Sequence, residues 1–286
     1  DCAMLAYRHA FHAGNHADVL KHLVLLQVLR YMNGKDKPYR FVDTHAGAGG
    51  YSLESRYANK HAEYESGIAR LWSRDDLPPA LADYVDLVRR FNGGSALKQY
   101  PGSPGFAQML LRPTDPLLLY ELHPTDERIL ASYLGARPHT QVVMADGFGA
   151  LAKALPPPSR RGVVLIDPPY EIKTDYAKVL AATRTSLERF ATGVLLIWLP
   201  QLALLEAQQL PRRLANAAAA APRGWLHARL SVTPPGERGL GLMGSSMFVI
   251  NPPHGLHDTL REVLPFLAQA LAQFDGATHA LEQHVP

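Results

Sequence analysis

The chain has 286 residues, a formal net charge of +3 and 47% hydrophobic residues. That suits one globular core with an appended subdomain, and it excludes a disordered or fibrous protein. No apolar run reaches the roughly 18 residues of a membrane span, and neither a span nor a secretory signal is expected. The single cysteine, Cys2, rules out an internal disulfide, so a cytoplasmic location is expected. Met4 is expected to be the natural start, after a short Asp1-Cys2-Ala3 extension. The mildly basic charge is compatible with nucleic acid but does not argue for it.

A histidine-rich segment spans residues 7–22. From about Asn15 the spacing predicts a helix with Ala17, Leu20, Leu23, Val24, Val28 and Tyr31 on one face, stopped by Asn33-Gly34. Residues 39–42 read as a short buried strand that enters the turn His45-Ala46-Gly47-Ala48-Gly49-Gly50. Residues 52–98 break the rhythm. They hold helical stretches at 63–72 and 79–91 without a convincing strand, and they are assigned to an inserted helical subdomain. After them, strand-like runs at 117–120, 141–144, 162–166 and 193–198 alternate with helical segments. Residues 225–232 and 246–250 are expected to pair as an antiparallel hairpin, followed by a terminal helix at 256–274. This alternation predicts an α/β fold with a mostly parallel sheet, built from residues 1–51 and 99–286.

Asp167-Pro168-Pro169-Tyr170 follows the apolar strand 162–166 directly, where open α/β sheets hold their ligands. An exocyclic amine on a purine is a poor nucleophile, because its lone pair is delocalised. The Asp167 carboxylate and a proline carbonyl can each accept one amine N–H and so aim that lone pair at an incoming methyl group. Asp167 can also take the released proton, directly or through water. Tyr170 offers a flat face for an extruded base.

Gly47 and Gly49 let the backbone approach a ligand closely, and Glu121 at the end of strand 117–120 suits the hydroxyls of a ribose. Asp146-Gly147 repeats the logic one strand later, with Asp146 serving either the ligand or the helix N-terminus. His9, His12, His16 and His22 match no metal-ligand spacing, and no metal is expected.

With these residues assembled, the chain resembles the RlmJ family of ribosomal RNA large-subunit methyltransferases, from Met4 to near the C-terminus. The resemblance rests on Tyr7-Arg8-His9, on the string Phe11 to His22, on Asp43 to Gly49, on Tyr100-Pro101-Gly102-Ser103-Pro104 and on Ile166 to Tyr170. It implies a Rossmann-like class I methyltransferase fold and N6-methylation of the adenine numbered 2030 in 23S rRNA, with S-adenosylmethionine as cofactor. It further implies that His22, His45, Ser103, Glu121, Asp146, Gly147 and Asp167 contact the cofactor, and that Tyr7, with Arg8 beside it, meets the RNA. A monomer without an obligate protein partner is expected. The alternatives are a DNA adenine methyltransferase, a protein N5-glutamine methyltransferase and a non-catalytic factor in the use of external DNA.

Overall fold

The computed structural model describes residues 9–54, 62–236 and 242–286. Tyr7 and Arg8 lie outside the described residues. Among the described residues, eight strands form one sheet in the order β10-β8-β9-β7-β6-β1-β4-β5. Its parallel part comprises β1 (Arg40–Asp43), β4 (Leu117–Tyr120), β5 (Thr140–Val143), β6 (Gly162–Ile166) and β7 (Val194–Gln201). β1 lies between β4 and β6, so the strand order reverses beside it and opens a crevice at the carboxyl ends.

β1, β4, β6 and β7 are covered on both faces and therefore read as largely apolar runs, whereas β5 at the edge is only partly covered. Alternation divides them cleanly. Phe41, Leu119, Leu165 and Leu196 enter one core, while Val42, Leu118, Val164 and Ile197 enter the other. The first core is closed by α1 (His16–Met32), with α3 (Pro79–Asn92), α4 (Ser103–Leu110) and α9 (Leu256–Ala270) around it. α2 (Ala69–Trp72) joins this layer through Leu71, whereas α5 (Pro124–Leu134) packs beside β5. The second core lies beneath α6 (Gly147–Ala154), α7 (Thr174–Arg189) and α8 (Leu205–Ala217).

The expected hairpin is present. β8 (Trp225–Ser231) and β9 (Gly244–Ile250) pair antiparallel from Trp225↔Ile250 to Ser231↔Gly244. The sheet then extends further than the sequence indicates, through β10 (Thr278–His284) on the outer edge of β8. Its polar sequence, Thr-His-Ala-Leu-Glu-Gln-His, gives only a weak strand signal because both of its faces are largely exposed. The terminal helix accordingly ends at Ala270 rather than Phe274.

Three further expectations are corrected. The helical stretch at 63–72 is two pieces, a 3₁₀ turn at Glu63–Ser66 and α2, separated at Gly67. A Cβ on Gly67 would sit 2.0 Å from the Gly14 carbonyl oxygen, so the chain is pressed against the segment that starts α1. The ends of the stretch 52–98 are joined by a ribbon of β2 (Gly50–Ser52) and β3 (Gln99–Pro101), too short for any periodic signal. Finally, α1 is buried almost all round instead of along one stripe, and Tyr31 is 41% exposed. Leu29 and Met32 take the inner side of the last turn, which leaves Tyr31 outside beneath the Arg223 guanidinium. Among the described residues, no helix is long and apolar enough to cross a membrane.

His227 on β8 is buried against Phe248, with no hydrogen-bond partner for Nε2. Burial pushes its imidazole down to about 4 from the ordinary 6.5. As pH falls through this window, the unfolded chain takes up a proton that the folded chain refuses, so stability is lost. His227→Leu removes that linkage. The stability of the variant relative to the parent should therefore rise as pH drops from 6.5 towards 4, by at most about 1.4 kcal/mol per pH unit. Urea titrations at several pH values measure it, and a pH-independent difference would refute the assignment.

Candidate active site

The crevice is a cleft of about 360 Å³ over the carboxyl ends of β1, β4, β5, β6 and β7. Asp167 leaves the end of β6 on its floor, and the ammonium of Lys21 reaches it from α1, Nζ to Oδ2 at 2.5 Å. The same nitrogen is 3.1 Å from Asp18 Oδ1, one helical turn back. Asp18 Oδ2 in turn meets His9 Nε2 at 2.7 Å and accepts the Gly14 N–H at 2.9 Å. The Lys21 and Asp18 side chains are 6% and 1% exposed, so this is a desolvated array rather than a surface pair.

Burial pushes the Asp167 carboxyl up, and the Lys21 ammonium opposes that shift. The neighbouring carboxylates hold Lys21 above its ordinary value despite burial. Asp18 is held well below the carboxylate range by the cationic and hydrogen-bonding groups around it, against its own desolvation.

Asp43, at the end of β1, is fully buried and accepts the Ser103 hydroxyl at 2.5 Å. Burial pushes its carboxyl up to about 7, and the negative charge of Asp167 adds to the rise. Asp43 thus adds little charge next to Asp167 on the acid side of neutrality.

Ten of the residues expected from the sequence and the resemblance to serve cofactor or catalysis line this one cleft: His22, His45, Gly47, Ser103, Glu121, Asp146, Gly147, Asp167, Pro168 and Tyr170. They come from separate elements. His22 sits on α1, with Nδ1 2.7 Å from the Tyr100 hydroxyl and its ring 4.7 Å from that of Phe106. Burial drives it down to about 3, so it is neutral. His45 is likewise pushed down to about 4 by burial, with its ring edge-on to Phe148. Glu121 is fixed by backbone donors on both oxygens, from Gly47 to Oε1 and from His123 to Oε2, each at 2.8 Å. Asp146 lines the cleft and also caps α6, accepting the Phe148 N–H at 3.0 Å.

Two glycines have no room for a side chain. A Cβ on Gly147 would lie 2.1 Å from the Thr44 carbonyl oxygen, and one on Gly47 would lie 2.2 Å from the Tyr51 hydroxyl. Ser103 lines the cleft through its bond to Asp43, and Pro168 lies beside Asp167.

Gly49 stands apart from the lining. With φ +87° it turns the chain against Leu130, and its carbonyl accepts the Gly102 N–H at 3.0 Å, so it shapes the turn from behind. Tyr170 is placed at the cleft, but its ring is only 6% exposed. Its hydroxyl donates to the Trp198 carbonyl at 2.7 Å, and the Tyr176 ring lies 4.8 Å away. Little of the flat face expected from the sequence remains open.

Reasoning from sequence missed Lys21, Asp18, Asp43 and Trp198. For the first two a signal existed. Asp18, Lys21 and His22 recur at helical spacing within an otherwise apolar run, which on a helix buried all round brings polar groups inside. Asp43 and Trp198 look like ordinary strand residues until neighbouring strands are placed.

The donor set fits S-adenosylmethionine. A doubly anchored carboxylate at Glu121 matches a diol, Asp146 and the bare Gly147 backbone match an adenine edge, and anionic groups on the floor match a cationic sulfonium. Removing one member of the array should show how tightly its charges depend on each other. Lys21→Met leaves two buried carboxylates without their cation and should cost about 3–5 kcal/mol in urea denaturation. Adding Asp18→Asn and Asp167→Asn should recover much of that loss. Equal stability of Lys21→Met and the parent would show that the carboxylates are not held by this charge.

Comparison with known proteins is consistent along nearly the whole chain. The family model described as "Ribosomal RNA large subunit methyltransferase D, RlmJ" matches residues 36–282. The Ribosomal RNA large subunit methyltransferase J of Escherichia coli K12 is 46% identical over 277 residues, 97% of both chains. The protein of the same name from Haemophilus influenzae is 44% identical over 284 residues, 99% of this chain and 100% of the relative. Among solved structures, protein LPL1258 from Legionella pneumophila superposes with a TM-score of 0.87 at 33% identity, covering 95% of this chain and 98% of that one. A likeness of this extent in both sequence and fold establishes that the chain belongs to the RlmJ family of ribosomal RNA large-subunit methyltransferases.

Proposed function

We propose that the protein transfers a methyl group from S-adenosylmethionine to the N6 amine of an adenine in 23S rRNA, the adenine numbered 2030 in the family's activity. The observation that carries this reading is the Asp167 carboxylate at the carboxyl end of β6, with Oδ2 engaged by Lys21 and Pro168 beside it. The cofactor brings an electrophilic methyl group on a positively charged sulfur. Glu121 would hold its ribose hydroxyls and Asp146 its adenine amine, with Gly147 giving the purine room and His22, His45 and Ser103 completing the wall.

The protein's own contribution is orientation. Lys21 takes one oxygen of Asp167, which fixes the carboxylate plane and leaves Oδ1 to accept an N–H of the target amine. The Pro168 carbonyl accepts the other. With both protons held, the nitrogen lone pair turns away from conjugation with the ring and towards the methyl group. Oδ1 then accepts the proton that the methylated amine releases. Asp167 must be ionised for each of these roles, and Lys21 favours that form inside a site whose burial opposes it.

Tyr7 and Arg8, by resemblance, would meet the RNA. Residues 52–98 are read as an inserted helical subdomain, a division supported by the ribbon that joins its two ends. The enzyme is read as a monomer, and the single cysteine is in keeping with a cytoplasmic one.

Two variants separate binding from chemistry. Asp167→Ala should abolish turnover on an rRNA hairpin while S-adenosylmethionine affinity, measured by calorimetry, stays within a few-fold. Glu121→Ala should weaken that affinity about tenfold or more, since charge-assisted hydrogen bonds contribute about 1.5–3 kcal/mol. Substantial methylation by Asp167→Ala would remove the residue from the reaction.

The pH profile provides a third check. Because burial raises Asp167, kcat/KM should fall on the acid side at a pH above the ordinary carboxylate value of about 3.9. Lys21→Met should move that acid limb to still higher pH. A limb that stays in place would show that another group controls it.

A further inference from the structure

An enzyme that acts on ribosomal RNA must hold a polyanion, and the cleft is poorly equipped to do so. The described residues that line it include eight carboxylates but only two lysines, Lys21 and Lys178, and no arginine. Lys21 is already committed to Asp18 and Asp167. Phosphates approaching this mouth meet mostly negative charge, so attraction for RNA must come from cations outside it.

The opposite end of the sheet carries such charge. β1, β4, β5 and β6 are parallel neighbours whose first residues lie level: Arg40 pairs with Gly162, Phe41 with Leu117, and Leu117 with Thr140. The stretches leading into them, residues 33–40, 111–116, 135–139 and 155–161, are therefore gathered at one end. They hold seven Lys and Arg against two acids, Asp36 and Asp115, a net +5, whereas the whole chain is only +3. The rest of the chain is accordingly net negative, at −2.

Contacts join these stretches into one patch. The Arg112 and Arg161 guanidiniums lie 5.7 and 5.8 Å from the Tyr39 ring centroid, and both donate to the Lys37 carbonyl. Arg137 donates to the Arg112 carbonyl at 2.8 Å. Part of this array serves the fold. Arg161 donates to the carbonyl of Met32, the last residue of α1, and Arg40 to that of Ala154, the last of α6. Neutral acceptors leave the charge in place, however. Among the described residues, Arg112 alone of the seven is in an ion pair, with Asp115. Lys35, Lys37 and Arg160 stand exposed around the array. Arg160 adds a separate sign, because its φ of +55° lies in the left-handed region that strains a side chain and that glycine adopts freely. At an exposed position packing does not offset that strain, and what the residue contributes is its charge.

We infer that this end of the sheet is a second RNA-binding surface, one that holds rRNA phosphates at a distance from the target adenine. β6 has five residues, which at about 3.3 Å each set the patch roughly 17 Å from the strand end that carries Asp167. An extruded base and its immediate neighbours do not span that distance, whereas helices flanking the target hairpin do. The inference goes beyond the proposed methylation and rests only on rRNA being the substrate.

The test measures dissociation constants over a range of salt for two RNAs. One is the hairpin bearing the target adenine; the other is a 23S rRNA fragment holding that hairpin with its flanking helices. The variant is the full chain carrying Lys35→Gln, Lys37→Gln and Arg160→Gln, which spare the hydrogen-bonded array. It should bind the long fragment about tenfold more weakly at physiological salt. Its slope of log affinity against log salt should shrink by about 2, since each lost phosphate contact removes about 0.7–0.9. Affinity for the hairpin, and kcat with either RNA, should stay within about twofold. A charge-matched control, Arg184→Gln, Arg212→Gln and Arg213→Gln on the exposed side of α7 and α8, should leave both affinities within about twofold. Should the triple variant fail to fold, the Lys35→Gln, Lys37→Gln pair replaces it, with a loss of about fivefold expected for the long fragment. Unchanged affinity for the long fragment overturns the surface. So does an equal loss for both RNAs, or an equal loss in the control, because overall charge would then account for it. Patch-dependent binding of the long fragment by a parent that methylates no adenine would refute the proposed reaction and leave this surface standing.

Discussion

Lys21 holds its ammonium between Asp18 and Asp167 where water scarcely reaches, and most of what surrounds the cleft serves to keep it there. A buried cation needs partners on every side, because its desolvation costs several kcal/mol and an incomplete set of counter-charges does not offset that. Asp18 meets this need from the same helix, and it is itself fixed by His9 and the Gly14 backbone. Asp167 meets it from the sheet. The pair consequently ties α1 to the end of β6, and the Asp167 carboxylate in the cleft is engaged by a residue 146 positions away in sequence.

Such an array requires a helix with no wet side. The segments at Glu63–Ser66 and α2 provide part of that cover. Gly67 lies directly against the Gly14 carbonyl, and the Ile68 N–H donates to it at 2.9 Å. His12 and Glu63 add a contact at the cleft, Nδ1 to Oε2 at 2.5 Å. Further out, the Arg70 guanidinium donates to the Ala272 carbonyl and Arg74 lies over Phe266, which binds the same layer to α9 and the segment after it. The residues between β2 and β3 thus help to cover the start of α1, which carries Asp18 and Lys21.

The cleft's division follows from the strand order. β4 and β5 lie on one side of β1 and bring Glu121 and Asp146; β6 and β7 lie on the other and bring Asp167 and Trp198. Asp167 stands beside that junction, where α1 brings Lys21 to it. Both sides of the switch point therefore supply residues to one cleft, each side from consecutive strand–helix units.

The sequence by itself determined the α/β class, the parallel strands, the antiparallel hairpin of β8 and β9, and the position of Asp167, Glu121 and Asp146 at strand ends. These are local facts. A run such as Gly162–Ile166 must be buried on both faces, and a carboxylate that follows it stands at the mouth of the sheet wherever the other strands lie. Tertiary structure decided what local pattern cannot encode. The stretch at 63–72 divides at Gly67 because another segment presses on it, and β10 forms because β8 offers an edge to a polar strand with little propensity of its own. Tyr31 turns outward because Leu29 and Met32 fill the inner side of its turn. Lys21 and Asp167 meet only when α1 and β6 converge, since charge pairing depends on distance in space, and a separation of 146 residues leaves no period to read.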